Sequence, residues 1–78
     1  MAARIYRVHV FDGQYEVLHK RRFTYQLDLD GPGLDGILDR LLQALTRAAL
    51  ADNEPMDCPR LEIRDAQTGT TVLDWTGA

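Results

Sequence analysis

Hydrophobic and polar residues alternate along the first part of the chain in the pattern of a half-buried β-strand. Within residues 4–11, Tyr6, Val8 and Val10 share one parity, and Arg7 and His9 share the other. An alternation with a period of two places the two sets on opposite faces of a sheet. The pattern therefore predicts a first strand over residues 4–11 with one apolar face.

The dipeptide Asp12-Gly13 predicts a tight hairpin after this strand. Both central residues of a type I′ turn need a positive φ, which Asp-Gly adopts readily. A two-residue loop at this position sets the register of the hairpin. The expected pairs are Val10 with Tyr15, His9 with Glu16, and Val8 with Val17.

The second strand is predicted to be unusually long, since no glycine, proline, asparagine or aspartate interrupts residues 15–27. Globular strands usually run about five or six residues. We expect one strand that is bent or bulged near the basic run at residues 19–22. Its second half, residues 23–29, would then pass the end of the first strand and need another partner.

Apolar residues recur at helical spacing from Leu34 onward, which predicts an amphipathic helix over residues 34–52. We expect Asn53 to follow its last turn, and Pro55 prevents continuation. Leu50 falls off the apolar stripe and is expected to face solvent or a partner. The expected core packs Leu38, Leu41 and Leu45 of the helix against Val8, Val10, Val17 and Leu73.

A second hairpin is predicted from residues 60–64 and 71–75. A three-residue loop closing Asp65 against Gly69, with Gly69 in the left-handed conformation, would pair like faces of the two strands. The expected pairs are Leu61 with Leu73 and Ile63 with Thr71. Trp75 shares this face, which favours a place in the core over a role as an interface anchor.

The elements together predict one α+β domain over residues 1–78. Their order is ββαββ, with an antiparallel or mixed four-stranded sheet and one amphipathic helix on one face of it. This order resembles the layout of small β-grasp and immunoglobulin-binding bacterial domains. The resemblance implies a binding role more often than a catalytic one.

Charge is distributed unevenly along the chain, whose formal net charge is −3. Residues 1–22 carry five basic and two acidic side chains, whereas residues 23–78 carry four basic and ten acidic ones. In the predicted register Arg4 lies opposite Arg21, so the basic residues of the first hairpin form a candidate site for phosphate or an acidic partner. The residues of this candidate anion site are Arg4, Arg7, Lys20, Arg21 and Arg22.

The basic residues of the first hairpin are open to other interpretations than an anion site. Like charges on an exposed strand also discourage aggregation through its edge, without any ligand. A nucleic-acid ligand is not favoured, since the chain as a whole is acidic.

Several kinds of chemistry lack the residues they need. Cys58 is the one cysteine, so no intrachain disulfide forms, which fits a reducing cytoplasm. Serine is absent, and Cys58 has acidic Asp57 beside it rather than a base. By parity, His9 and His19 are expected on opposite sheet faces, which rules out a shared metal. We therefore expect no enzyme, no metal and no cofactor.

Two other sequence features were examined for function. Asp28 to Gly33 only partly matches a calcium-binding loop, because Pro32 stands where a ligand is needed. No signal peptide or membrane-spanning segment is predicted, since Arg4 and Arg7 interrupt the N-terminal apolar residues. Arginine outnumbers lysine eight to one, a bias common in bacteria with GC-rich genomes.

The expected function is that of a non-catalytic interaction or accessory protein. A chain of this length buries a small core, and self-association is one way to stabilise it. The half-strand after residue 22 would supply the contact, as a homodimer or within a larger assembly, through Phe23, Tyr25 and Leu27. The alternative is binding of an anion or nucleic acid through the basic first hairpin.

Overall fold

Within residues 3–77, five strands and one helix build the domain, and the helix lies between two groups of strands as predicted. The structure, a computed structural model, describes residues 3–77. Its elements are β1 (Arg4–Asp12), β2 (Tyr15–Val17), β3 (Phe23–Leu27), α1 (Leu34–Ala51), β4 (Pro59–Asp65) and β5 (Thr71–Trp75). The α+β fold with one helix and an antiparallel sheet is confirmed. The sheet has one strand more than expected because the long second strand is divided into β2 and β3.

The sheet order is β2-β1-β4-β5, and β3 also pairs with β1. Every pairing is antiparallel. β1 is therefore central, with β2 and β3 following one another along one side and β4 on the other.

The register of the first hairpin differs from the expected one by two residues. Asp12 pairs with Tyr15 and Val10 with Val17, so the loop consists of Gly13 and Gln14. Only Gly13 of this loop has a positive φ, at 60°, which suits the first position of a type II′ turn. A shift of two residues keeps every side chain on its expected face.

An irregular five-residue segment separates β2 from β3. Val10 pairs with Val17 and Val8 with Phe23, so residues 18–22 stand opposite His9 alone. We call residues 18–22 the excursion. Leu18 opens it with a positive φ of 54° and turns its side chain into the core, where it is 4% exposed. The basic residues that follow Leu18 are exposed.

The excursion corrects the expected fate of the second half of the long strand. Phe23 to Leu27 do not run past the end of β1 but pair with its first half, from Val8 back to Arg4. Four extra residues in the excursion bring the chain back beside β1 instead of beyond it. The prediction of an unpartnered half-strand was wrong.

The helix packs one stripe against the sheet. Leu38, Leu42, Leu45 and Ala49 are buried, whereas Leu41 is only partly buried. The expected face was therefore turned slightly, with Leu42 holding the central place given to Leu41. The stripe meets the apolar face of the sheet, whose buried members are Tyr6, Val8, Val10, Val17, Leu27, Leu61 and Ile63. Leu50 is 62% exposed, as expected.

Backbone hydrogen bonds from Asn53 and Glu54 close the C-terminal end of the helix. Asn53 has a φ of 61°, and its N–H donates to the Leu50 carbonyl at 3.0 Å. The Glu54 N–H donates to the Ala49 carbonyl at 2.7 Å. This pair of bonds is the Schellman motif, so the predicted role of Asn53 is confirmed.

The second hairpin also keeps its faces while changing its register. Leu61 pairs with Trp75 and Ile63 with Leu73, with an irregularity after Ile63. The Asp65 N–H donates to the Thr70 carbonyl, so the loop is longer than predicted. Gly69 has the expected left-handed conformation. The side chain of Trp75 is half-buried against the core.

Candidate anion-binding site

The excursion and the solvent face of β1 enclose the pocket that is the candidate site. Arg7 and His9 lie on the face of β1 opposite the helix, and the excursion rises beside them. The space between them measures about 200 Å³. Its lining consists of Arg7, Val8, His9, Glu16, His19, Arg21, Arg22 and Phe23. We call this space the basic pocket.

The charges around the basic pocket are mostly positive. Three guanidinium groups, from Arg7, Arg21 and Arg22, face one carboxylate, that of Glu16. His9 Nδ1 lies 2.8 Å from Glu16 Oε2. The predicted register pair of His9 with Glu16 is wrong, because Glu16 stands opposite Phe11, but the expected contact between the two side chains is present along the diagonal. It also turns the carboxylate toward the imidazole.

Arg21 is held in place from two sides. Its Nη1 lies 3.4 Å from Asp52 Oδ2, at the C-terminal end of α1. Its guanidinium also lies over the Phe23 ring, 5.4 Å from the centroid. A cation at the end of a helix compensates the negative end of the helix dipole. Arg21 therefore ties the excursion to the helix as well as lining the basic pocket.

Arg7 and Arg22 have no ion pair within residues 3–77. Both side chains are exposed at the rim of the basic pocket. A guanidinium carries five N–H donors in a planar fork that matches a carboxylate or a phosphate. These two arginines are therefore the groups that an incoming anion meets first.

The other two residues of the predicted anion site lie elsewhere. Arg4 stands opposite Leu27 instead of Arg21, and its Nη2 is 3.9 Å from Asp65 Oδ2. Leu27 lies six residues beyond Arg21, and this difference combines the two-residue shift of the first hairpin with the four extra residues of the excursion. Lys20 lines a different pocket, together with Asp52 and Glu54 at the C-terminal end of the helix.

The prediction that His9 and His19 lie on opposite faces was wrong. Both imidazoles line the basic pocket. Strict alternation holds only within a regular strand, and His19 belongs to the excursion. Parity could not place His19. The sequence signal that could have placed it is the bend or bulge that is expected near the basic run at residues 19–22.

A separate charged cluster occupies the same sheet face beside the basic pocket. Glu62 accepts hydrogen bonds from Arg60 Nη1 at 2.8 Å and from Arg64 Nη2 at 2.6 Å. Arg60 also reaches Asp74 Oδ1 at 2.8 Å and lies 4.5 Å over the Phe11 ring. These contacts neutralise Arg60 and Arg64. They also explain how Phe11 is buried on an otherwise polar face.

The pKa of Glu62 reflects this cluster. Partial burial by itself would raise the pKa of the carboxyl, because it disfavours the charged form. The hydrogen bonds and charges of Arg64 and Arg60 outweigh that effect, and the pKa lies below its usual value. Glu62 is therefore a fixed anion that keeps Arg60 and Arg64 from joining the basic pocket.

The residues predicted to mediate self-association, Phe23, Tyr25 and Leu27, direct their side chains toward the core. Leu27 is buried, and Phe23 and Tyr25 pack against the core as partly buried side chains. Their strand β3 is paired with β1, so the reason first given for self-association is removed. The other side of β3 is an edge of the sheet.

The described residues offer neither a metal site nor a membrane-spanning helix. Among residues 3–77, no group of three or more His, Cys, Asp or Glu side chains could hold a metal ion. No helix in that range is long and apolar enough to cross a membrane. Cys58 is exposed, and its N–H donates to Asp12 Oδ1 at 2.9 Å.

Comparisons with protein-family models, with curated proteins and with solved structures each find no match. Function therefore has to be inferred from the residues of this chain alone.

Proposed function

We propose that this protein is a non-catalytic binding protein and that the basic pocket holds a single anionic group. The observation that carries this proposal is the convergence of Arg7, Arg21 and Arg22 on one pocket with His9 and His19. From the sequence alone, self-association is the expected function and anion binding is the alternative. The excursion favours it, since it gathers side chains that a continuous strand would have spread along an edge.

The size and shape of the basic pocket fit a small oxyanion. A volume of about 200 Å³ holds a phosphate-sized group and a few waters, each of which takes about 30 Å³ in the liquid. Arg7 and Arg22 offer paired N–H donors to the oxygens of such a group. The formal net charge of −3 makes a nucleic acid the less suitable natural ligand, although the local positive charge of the basic pocket can still hold sulfate or phosphate groups.

A binding role is supported over a catalytic one by the chemistry of the lining. Among the described residues, the lining of the basic pocket includes no hydroxyl, thiol or primary amine. Its other reactive groups are the imidazoles of His9 and His19 and the carboxylate of Glu16, and His9 and Glu16 contact each other. The bound group would then belong to a small molecule or to an acidic partner, and the protein would act as an accessory to it.

Retention on immobilised heparin, with salt elution, tests this proposal. Heparin is a polyanion whose sulfates mimic the proposed ligand group. We expect wild-type protein to bind at about 50 mM salt and to elute as salt rises, because the arginines displace cations that are condensed on heparin. Arg7→Gln should elute earlier, and titration with inorganic phosphate should shift the NMR signals of His9 and His19.

Arg4→Gln is the matched control. It removes the same charge from the same strand, but Arg4 lies outside the basic pocket beside Asp65. We expect it to elute close to wild type. Equal losses for both variants would mean that heparin senses only net charge, and failure of wild type to bind would overturn the proposal outright.

A further inference from the structure

One edge of the sheet, the outer side of β3, has features of an interaction surface. No strand among the described residues pairs with that side of β3. Its five residues, Phe23–Leu27, include no charge and no proline. Soluble proteins usually protect such an edge with lysine, proline or a bulge, because its backbone groups can pair with another chain.

The opposite edge of the sheet is protected in this way. β5 carries Asp74 within its five residues, and its pairing with β4 contains an irregularity after Ile63. A charge and a bulge both discourage pairing of a further strand. The two edges therefore differ: the charge and the irregularity lie within β5, whereas the bulge and charges next to β3 are confined to the excursion and leave Phe23–Leu27 able to accept a further strand.

The alternation of hydrogen bonds along β1 identifies the free backbone groups of β3. Asp12 and Tyr15 close a two-residue hairpin and so exchange both of their hydrogen bonds. Every second residue of β1 repeats this orientation, down to Val8 opposite Phe23. It follows that the backbone groups directed outward from β3 belong to Thr24 and Gln26.

The charges that flank β3 are complementary to themselves under a two-fold rotation. Arg22 stands immediately before the strand and Asp28 immediately after it. In an antiparallel pairing of two copies centred on Tyr25, Thr24 of one copy meets Gln26 of the other. The same register sets Arg22 of each copy opposite Asp28 of the other.

We propose that the chain forms a two-fold homodimer by antiparallel pairing of β3 with β3 of a second copy, centred on Tyr25. The outward N–H and C=O groups of Thr24 and Gln26 satisfy one another across the axis. Two ion pairs between Arg22 and Asp28 fix the register. Both sheets join into one, and the half-buried Phe23 and Tyr25 gain cover at the junction.

The dimer is expected to be weak, because five residues of strand bury much less than the roughly 1,200–2,000 Å² of a stable interface. The dimer shares Arg22 with the basic pocket but does not use Arg7, so Arg7→Gln should leave it unchanged. Light scattering or sedimentation equilibrium over a range of concentrations measures it. A monomer mass for wild type at about 1 mM, equivalent to association weaker than about −4 kcal/mol, overturns the proposal.

Proline on each edge provides matched variants. Gln26→Pro removes an outward N–H from β3, which leaves the hydrogen bonds to β1 intact. Val72→Pro places a proline on the β5 edge, where Val72 is exposed and has no partner in the register with β4. We expect Gln26→Pro to be a folded monomer by circular dichroism and Val72→Pro to dimerise like wild type. Dimerisation of Gln26→Pro, or its loss in Val72→Pro, places the contact elsewhere.

A cysteine at the axis tests the register without depending on the proline variants. Facing residues of a non-hydrogen-bonded pair have Cα atoms about 4.5 Å apart, which is within the range of a disulfide. In a Cys58→Ala background, Tyr25→Cys should form a covalent dimer under mild oxidation, and Thr68→Cys in the second hairpin loop should not. Equal cross-linking of the two contradicts the register.

Asp28→Asn tests the ion pair with Arg22 of the other copy. It should weaken association severalfold while keeping the side-chain oxygen that accepts the Asp30 N–H.

Discussion

At the scale of single residues, the core depends on side chains that are wholly enclosed. Leu38 has 0% of its surface exposed and lies in a cluster with Leu61 and Ile63. Leu38→Ala should lower the free energy of unfolding by about 2–5 kcal/mol, through lost transfer energy and the cavity left behind. Leu50→Ala, on the exposed side of the same helix, should change it by less than about 0.5 kcal/mol. Urea denaturation measures both, and similar losses would mean that the buried face is misassigned.

Glu16 is the residue whose removal should strengthen the basic pocket. Its carboxylate is the one acidic group in the lining, and it repels an incoming anion even while it contacts His9. Glu16→Gln should therefore raise the salt concentration needed for elution from heparin. Asp57→Asn makes the same charge change in the exposed linker and should have a smaller effect. Unchanged or earlier elution of Glu16→Gln would contradict an anion site between His9 and Arg7.

At the scale of elements, alternation predicted faces well and pairings poorly. Val10 and Val17 share a face in the predicted and the observed register alike, because a shift of two residues keeps parity. The turn residues did not fix the shift, since Gly13 serves either position of a two-residue loop that requires a positive φ. The same reason applies to the second hairpin, where Leu61 kept its face and exchanged Leu73 for Trp75.

The excursion was predicted only in part: a bend or bulge was expected near residues 19–22, but not five residues opposite His9 alone. It has no glycine, proline, asparagine or aspartate to mark it, and its left-handed residue is a leucine. Tertiary packing explains that choice, because the turn at Leu18 places its side chain in the core at 4% exposure. The candidate site was only partly predictable for this reason. Arg7, Arg21 and Arg22 were named, but the meeting of His9 and His19 depends on the excursion.

Deleting residues 19–22 tests the excursion as an element. The shortened chain places Leu18 directly opposite His9, and β2 can continue into β3 in one register. We expect it to fold with lower stability, by about 1.5–3 kcal/mol, because Leu18 would move from the core to the solvent face. Retention on heparin should be lost. Retention equal to that of wild type would show that the excursion does not form the anion site.

At the scale of the whole molecule, the two sheet faces are stabilised in different ways. One face is covered by α1 and its leucines. No described element covers the other face, where the Glu62 cluster joins β4 to β5 through Arg60, Arg64 and Asp74 and contacts β1 through the Phe11 ring. A chain of this length buries only about 60% of its unfolded surface. Contacts on the polar face therefore form an appreciable part of a small total stability.

The acid stability of the protein follows from Glu62 and can be measured. The folded state holds the pKa of Glu62 below its ordinary value of 4.5. A carboxyl whose pKa is lowered by folding stabilises the protein above the unfolded pKa, and this contribution is lost as the pH falls through the folded value. Wild type should therefore lose stability below about pH 4.5, and Glu62→Gln should be less stable at pH 7 but approach wild type at low pH.

Denaturation with urea between about pH 2.5 and 7 measures this difference. Glu54→Gln is the control, because the described residues give its carboxylate no ion pair. Its stability should run parallel to that of wild type across the range. Some acid sensitivity should remain in Glu62→Gln, since the backbone N–H groups of Thr68 and Gln67 also lower the pKa of Asp65. A constant gap between Glu62→Gln and wild type would show that the Glu62 cluster contributes packing and not charge.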